Sequence, residues 1–477
     1  MTELAGIHDT QYRQRQYHRR VYPLDARLLT EEQIAVAFAM TSRVPDPFDV
    51  IAQRVSEEKA ADFHERWVLG YGHASVAEHA VVHLAIENIS RLACDGLEDN
   101  RLASYTEKSS RYQVIDADCF HTPAELDGHP ALKREYETTC RYLFAVYQQL
   151  IDGCIEYLRC VHPQRGRESD SAYYLRLRRI ATDGCRSVLP AATLTNVGIT
   201  ANARTLEHGI SKLMSSELEE ERQLGEAVRE QGRTVTPTLI KYAGEVPYLK
   251  QRPQVQRSLQ EHLTEGEEKL LSSVEVRLVH YDQQAEDKLA AALLYGASEL
   301  DYSAVWDRVQ AMTAGQRQRV IDDSLSGIGT HDAPPRELEV VDYTFEFLLD
   351  YGAFREFRRH RMQTYLPQPL TVAHGVRIPS VITDAGLDTL FADATGAAER
   401  TFHKICEGLS PVVAQYVVTH AHKRRLLSKL NLRECYHLFK LRTSPMAHES
   451  IREPMLEALR LVSEVHPQFF RHLQLRD

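Results

Sequence analysis

Two stretches of this chain, about 250 residues apart, gather side chains that suit an anion. In SYTEKSSRY (104–112), Ser104, Glu107, Ser109 and Arg111 fall within nine residues. An arginine beside serine hydroxyls suits a phosphate monoester, because the planar guanidinium donates to two oxygens in parallel. Glu107 can accept from a base or a sugar; a solvated loop is the plainer reading. The second stretch, Arg358-Arg359-His360-Arg361, follows the apolar run TFEFLLDYGAF (344–354) with only Arg355, Glu356 and Phe357 between. Such a run is exposed by default, but a segment anchored in a core can aim its charges at a pocket, and Arg-His-Arg suits a dianion. Pro367 and Pro369 then hold the chain extended.

Other candidates surround these. GHASVAEH (72–79) holds Gly72, which permits a tight turn, and His73 and Ser75, which can donate to phosphate or to a ring carbonyl. A helix or strand start capped by Ser75 is the alternative. His79 and His83 lie four apart beside Glu78, but no third ligand is evident, and no metal is expected. Asn202-Ala203-Arg204 and Asn431-Leu432-Arg433 each precede a run with helical spacing. An Asn amide suits the edge of a flat heterocycle, and the arginine of either pair can reach a phosphate.

Composition narrows the function. A net charge of −10 argues against a nucleic-acid binder without excluding a locally basic pocket. No apolar run approaches the roughly 20 residues that span a bilayer, and the N-terminus lacks the apolar core of a signal peptide. Eight cysteines without a CxxC pair fit a reduced cytoplasm better than a disulfide or zinc framework.

The elements that must position these residues repeat. TEEQIAVAFAMTSR (30–43) opens with a capping box, Thr30 and Gln33, and reads as a helix. In 76–97, Val82, Leu84 and Ile86 alternate with His83, Ala85 and Glu87 as in a strand, and Ile89, Leu92 and Ala93 then take helical spacing. Residues 131–160, 172–190 and 201–233 read as three amphipathic helices, the second stopped by Pro190. Residues 274–295 read as strand, turn and helix, opening a new domain. Arg101 aligns with Arg361 at an offset of 260, each followed by a Tyr four residues on, Tyr105 and Tyr365. NARTLEHGISKL (202–213) parallels NLRECYHLFKLR (431–442). The expected organisation is a polar arm over 1–25, one domain copy over 26–235, a Pro-containing linker or insertion over 236–273, and a second copy over 274–477.

GHASVAEH, IENISR (86–91) and RLASYTEKSSRY (101–112), with Arg186, VLP (188–190) and Asn202-Ala203-Arg204, resemble the flavin-dependent thymidylate synthases. The second half is similar through VRLVHYD (276–282), RRHR, NLRECYHLFKLR and AHESIR (447–452). The resemblance implies an α+β fold, each copy a mostly antiparallel sheet flanked by helices. It implies FAD as cofactor, methylation of dUMP to dTMP, and methylenetetrahydrofolate and NADPH as co-substrates. The protein then binds and orients while the cofactor carries the chemistry, with no side-chain nucleophile. Position by position, it implies flavin contacts for His73, Ser75, Glu78, Asn202, Arg204, His360, Arg361, Asn431 and Arg433. It implies nucleotide contacts for Glu107, Ser109, Arg111, Arg186, Arg359 and Arg442, with Ser109 and Arg359 orienting the substrate. Family members are homotetramers, so a homodimer acting as a pseudo-tetramer is expected, with no nucleic-acid or membrane partner.

Each copy departs from the family pattern. Asp99-Asn100-Arg101 stands for Arg-His-Arg in the first, and Leu213 replaces an expected Arg. In the second, Pro369 replaces the Ser, Gln415 replaces an Arg, and PPRELE (334–339) stands near the G-H-x-S-x-x-E-H position. An Asp about 4 Å from a phosphate would cost about 1 kcal/mol even in bulk water. The losses are complementary, so sites built from both copies are expected. The alternatives are a flavin enzyme acting on another nucleotide-like substrate and a non-catalytic flavin or nucleotide binder.

Overall fold

The computed structural model describes residues 20–263 and 272–476. Residues 1–19 of the expected arm and 264–271 of the expected linker lie outside that range.

In the first half, α1 (Glu31–Met40) precedes β1 (Val81–Ser90), α2 (Arg91–Leu97), β2 (Ala103–Glu107), α3 (Pro130–Val161), α4 (Asp170–Cys185), β3 (Leu194–Asn202), α5 (Ala203–Met214) and α6 (Glu219–Arg233). The expected linker contains α7 (Pro247–Leu263). The second half runs through β4 (Val276–Tyr281), α8 (Ala285–Tyr295), β5 (Asp342–Asp350), α9 (Tyr351–Phe357), β6 (Thr364–Pro367), α10 (Asp388–Gly408), β7 (Lys423–Asn431), α11 (Leu432–Arg442) and α12 (Glu449–Val465). The sheets are ordered β1-β3-β2 and β4-β5-β7-β6, antiparallel throughout. This is the expected α+β architecture in two tandem copies.

The copies share local devices. Ser90 ends β1 and caps α2, accepting from the Ala93 N–H at 2.9 Å; Asp350 ends β5 and caps α9, accepting from Ala353 at 2.9 Å. Asn202 and Asn431 end β3 and β7 and cap the next helix, accepting from Thr205 at 2.9 Å and Glu434 at 2.8 Å. Ser104 sits opposite Thr200 as Thr364 sits opposite Lys429, so the 260-residue offset of the first site segment and the 229-residue offset of the second agree in the sheet register.

Three expected boundaries change. Ile89 belongs to β1 rather than to a helix, because a bulge with Asn88 at φ 58° shifts the alternation and returns Ile89 to pairing with Thr195. The helix read over 201–233 begins only after Asn202 and breaks at 215–218. There the Ser216 hydroxyl accepts from the Leu218 N–H at 3.1 Å and the Ser215 hydroxyl donates to the Ser211 carbonyl at 2.7 Å, local bonds that compete with helical ones. The helix read over 172–190 ends at Cys185, and one 3-10 turn, Arg186–Val188, leads to Pro190.

The halves share one core. Leu143, Tyr147 and Leu150 of α3 belong to the same buried cluster as Phe391, Ala398 and Ile405 of α10, and the Thr139 and Thr401 hydroxyls bond at 2.7 Å. At the centre, Ala191 N–H donates to Val418 O at 2.8 Å and His420 N–H to Leu189 O at 3.0 Å. Ala192 pairs likewise with Tyr416, and Ala421 with Ser187, both at 2.8 Å. With the 229-residue offset these bonds exchange in pairs, so a pseudo-two-fold axis passes by Pro190 and Thr419, which bridge each other.

Beside this axis lies a buried charge cluster. One oxygen of Glu107 accepts from Arg91 at 2.8 Å, from Arg355 of the other half at 2.5 Å and from the Thr195 hydroxyl at 2.9 Å. Arg358 meets Asp95 at 2.5 Å in the same layer. Burial pushes the Glu107 carboxyl up, but Arg355 and Arg91 outweigh it and hold the group below the usual carboxylate range. Removing one partner of such a cluster costs about 3–5 kcal/mol, because it strands buried charge. Glu107→Gln is therefore expected to lower stability by about that amount at pH 7. A depressed carboxylate contributes fully above its unfolded value of about 4.3 and loses its contribution as pH falls toward the folded value. The gap between wild type and Glu107→Gln, measured by denaturant unfolding, should narrow below about pH 4.

Candidate functional site at the junction of the halves

Arg186 sits at the end of α4, whose start is fixed by Ser169 accepting from the Ala172 N–H. Glu356 sits in the last turn of α9 and Arg442 at the end of α11. These elements converge near the pseudo-two-fold axis. One oxygen of Glu356 accepts from Arg186 at 3.1 Å and the other from Arg442 at 3.1 Å. Arg111, just beyond β2, grips Asp183 through Nε at 3.0 Å and Nη2 at 2.7 Å. Arg186 also approaches Asp183 at 3.2 Å, and His448 stands 3.9 Å from that carboxylate.

The line of contacts continues inward. Arg442 donates to Nε2 of His360 at 3.0 Å, and the opposite ring nitrogen meets Glu434 at 3.2 Å. Burial and Arg442 push His360 down to about 3, so its ring is neutral, with Nε2 accepting and Nδ1 donating. Burial pushes the Glu434 carboxyl up to about 7. Glu356 is held low: burial raises it, but Arg186, Arg111 and Arg442 prevail. Arg442 is itself lowered by burial, which with repulsion from Arg359 and Arg111 outweighs the support of Glu356. Arg111 and Arg186 from one half and Arg359 and Arg442 from the other thus act electrostatically on one another or on Glu356. The space enclosed by Asp183, Arg186, Glu356 and His448 is about 20 Å³, room for about one water. Glu356 stands between the guanidiniums of Arg186 and Arg442.

The remaining expected nucleotide residues are placed as follows. The Ser109 hydroxyl accepts from the Arg111 N–H at 3.3 Å, while Ser110 faces Arg186 at 3.5 Å. Arg359 is exposed, and no described carboxylate pairs with it. Glu107 serves the buried cluster. Arg101 and Arg361 line a cavity of about 260 Å³ with Asp99, Asn100 and His208, and Arg101 donates to the Gln363 carbonyl at 3.0 Å.

The residues expected to hold a flavin form two matched sets. In the first half Arg204 pairs with Glu78 at 2.5 Å beside Asn202, Ser75 is exposed, and the His73 ring stands near Trp67 and Tyr71. In the second half Arg433 pairs with Glu339 at 2.7 Å and donates to the Pro334 carbonyl at 2.9 Å. Glu339 lies three residues before β5 as Glu78 lies three before β1, each on a 3-10 turn, so PPRELE keeps the acid of the motif while losing its Gly-His. Asn431 and Arg433 line a cleft of about 360 Å³ with His331, Met362, Glu434 and Lys440, a size that suits part of a flavin dinucleotide, with a lining of mixed charge. His360 is buried behind Glu434. In the first half, the His79 ring stands near Phe38 and His83 bonds the Thr200 hydroxyl at 2.8 Å.

Sequence reasoning missed Glu356, Asp183, Glu434 and Glu339. Glu356 lies two residues before the Arg358–Arg361 cluster, and the three-residue spacing to a strand marks Glu339. Asp183 and Glu434 carry no local signal; only the fold brings them in.

The thymidylate synthase complementing protein model, Thy1, matches residues 26–238 and 277–468. A UPF0159 protein of Chlamydia muridarum is 32% identical over 435 residues, 88% of this chain and 82% of that protein. A UPF0159 protein of Thermoplasma acidophilum is 29% identical, over 86% and 88%. A flavin-dependent thymidylate synthase of Clostridium tetani is 27% identical over 216 residues, 45% of this chain and 82% of that protein. A half-length relative that aligns with under half of this chain fits the double match. The chain belongs to the flavin-dependent thymidylate synthase family, as two tandem copies of its domain.

Proposed function

We propose that the chain methylates dUMP to dTMP with FAD, methylenetetrahydrofolate and NADPH, at a site composed from both halves. One observation carries this reading: the guanidiniums of Arg111 and Arg186 from the first half and of Arg442 from the second act on a single carboxylate, Glu356, and Arg359 of the second half acts on Arg442. Arg111 and Arg186 would hold the nucleotide phosphate with the Ser109 and Ser110 hydroxyls. Arg359 and Arg442 would reach it from the second half, Arg442 being aligned by the neutral His360 ring. Asn431 and Arg433 would hold the flavin in their cleft, with Lys440 beside its phosphates, and Asn202 and Arg204 would serve in the first half. Bound FAD would supply hydride acceptance and donation. The side chains bind, orient and exclude water. A homodimer would then present four copies of the domain, as a family tetramer does. Among the described residues no helix is long and apolar enough to cross a membrane, and the eight cysteines are free thiols, which fits a cytoplasmic, reduced setting.

A second reading is favoured by Glu356, which occupies the two arginines. It would suit a nucleotide-like substrate that presents less negative charge, or a binder without turnover. Activity separates the readings. Purified protein is expected to be yellow, to be bleached by NADPH, and to rescue a thymidine auxotroph. Flavin bound without rescue would favour the altered substrate, and nucleotide bound without flavin would favour the binder.

Charge-assisted hydrogen bonds contribute about 1.5–3 kcal/mol. Arg359→Ala and Arg442→Ala should each weaken dUMP binding roughly ten- to a hundredfold, and Ser109→Ala a few-fold. Calorimetric titration measures all three, and unchanged affinity in all would remove the composite site.

A further inference from the structure

The pseudo-two-fold axis relates the Glu356 site to a second location, where the halves exchange roles. Resting on the nucleotide reading above, we infer that each chain binds one nucleotide and that the mirror cavity excludes phosphate. The mirror location is open, with a cavity of about 530 Å³ lined by Gly96, Asp99, Lys212, Glu221, Tyr365 and Gln415 among others. Size therefore does not close it; chemistry does.

The charged constellation is lost there as a unit. By the two offsets fixed in the sheets, Arg186 corresponds to Gln415, Glu356 to Gly96, Arg442 to Leu213, His360 to Asn100 and Arg359 to Asp99. Arg111 corresponds to Thr371 and Ser109 to Pro369. The substitutes are committed elsewhere. The Gln415 amide accepts from the Leu370 N–H at 2.9 Å and donates to the Val412 carbonyl at 3.1 Å. Leu213 is a core residue, 2% exposed. Asp99 is bound by Lys212 and accepts from the Tyr365 hydroxyl at 3.2 Å. Asn100 donates to the Leu97 carbonyl at 3.1 Å.

The space left by Gly96 is taken by another acid. A Cβ on Gly96 would lie 2.6 Å from an oxygen of Glu221, so a carboxyl group fills the place of the missing side chain without guanidiniums beside it. Without those partners, burial pushes this carboxyl up to about 7. A phosphate entering here would meet Asp99 and Glu221 instead of four arginines. The cations that remain are occupied: Lys212 by Asp99 and Arg358 by Asp95, while Arg424 donates to the Gln368 carbonyl at 2.5 Å and lies over the Phe354 ring. Leu249 and Pro253 of α7 also line the cavity, and Arg257 fastens that helix to Glu217 at 2.9 Å.

The test is the stoichiometry of dUMP binding to the full chain, by calorimetry and by equilibrium dialysis. One nucleotide per chain is expected. Arg442→Leu, which writes the mirror residue into the live site, should weaken that binding at least tenfold, and Gln415→Ala should change neither number nor affinity. Circular dichroism confirms that each variant is folded. Two nucleotides per chain, or one lost on Gln415→Ala and kept on Arg442→Leu, would overturn the inference while leaving nucleotide binding intact. No binding at all would overturn the nucleotide reading and this inference with it.

Discussion

Glu107 binds two arginines that belong to different halves of the molecule, and much else follows from that shared carboxylate. Arg91 lies at the start of α2 and Arg355 inside α9, the helices that directly follow β1 and β5. Tying both to one oxygen fixes the two sheets relative to each other at the pseudo-two-fold axis. The cost of burying three charged groups is offset only because each has an opposite partner within hydrogen-bond reach. Once α9 is held there, Glu356, one residue beyond Arg355, faces Arg186 of the first half. The proposed composite site is thus a consequence of how the halves are joined.

A duplicated chain can do what a repeated subunit cannot: its two copies are free to diverge. Here the first half keeps Arg111 and Arg186 and the second keeps Arg359, His360 and Arg442, and the axis brings these sets to one place. The reciprocal combination carries Asp99, Leu213 and Gln415, and its groups have found partners within the protein. Sequence symmetry has been exchanged for one concentrated set of cations. Those cations are not idle before a ligand arrives. Glu356 and Asp183 pair with Arg186, Arg442 and Arg111, so on the proposed reading an anionic ligand replaces one anion by another in a tight space.

Much of this was legible beforehand, for identifiable reasons. The capping box of Thr30 and Gln33, the alternation in β1 and the length of α3 are local signals, and they survived folding. The two offsets were visible as repeated spacing. Illegible were features that arise from meeting across the fold. Glu107 read as a ligand for a base or sugar, yet it sits in a buried cluster whose other members are remote in sequence. Asp183 and Glu434 looked like ordinary helix residues, because their partners Arg111 and His360 are 72 and 74 residues away. Glu339 was hidden by the loss of the Gly-His that usually announces it. The bulge at Asn88 broke an alternation that pattern reading had extended into a helix.

The central claim, that one nucleotide site is built from both halves, is tested most directly by a double-mutant cycle on dUMP affinity with Arg186→Ala and Arg442→Ala. If the two arginines meet one ligand through the same small space, their effects should be coupled by about 0.5–3 kcal/mol. Additive effects within about 0.3 kcal/mol would contradict a shared site.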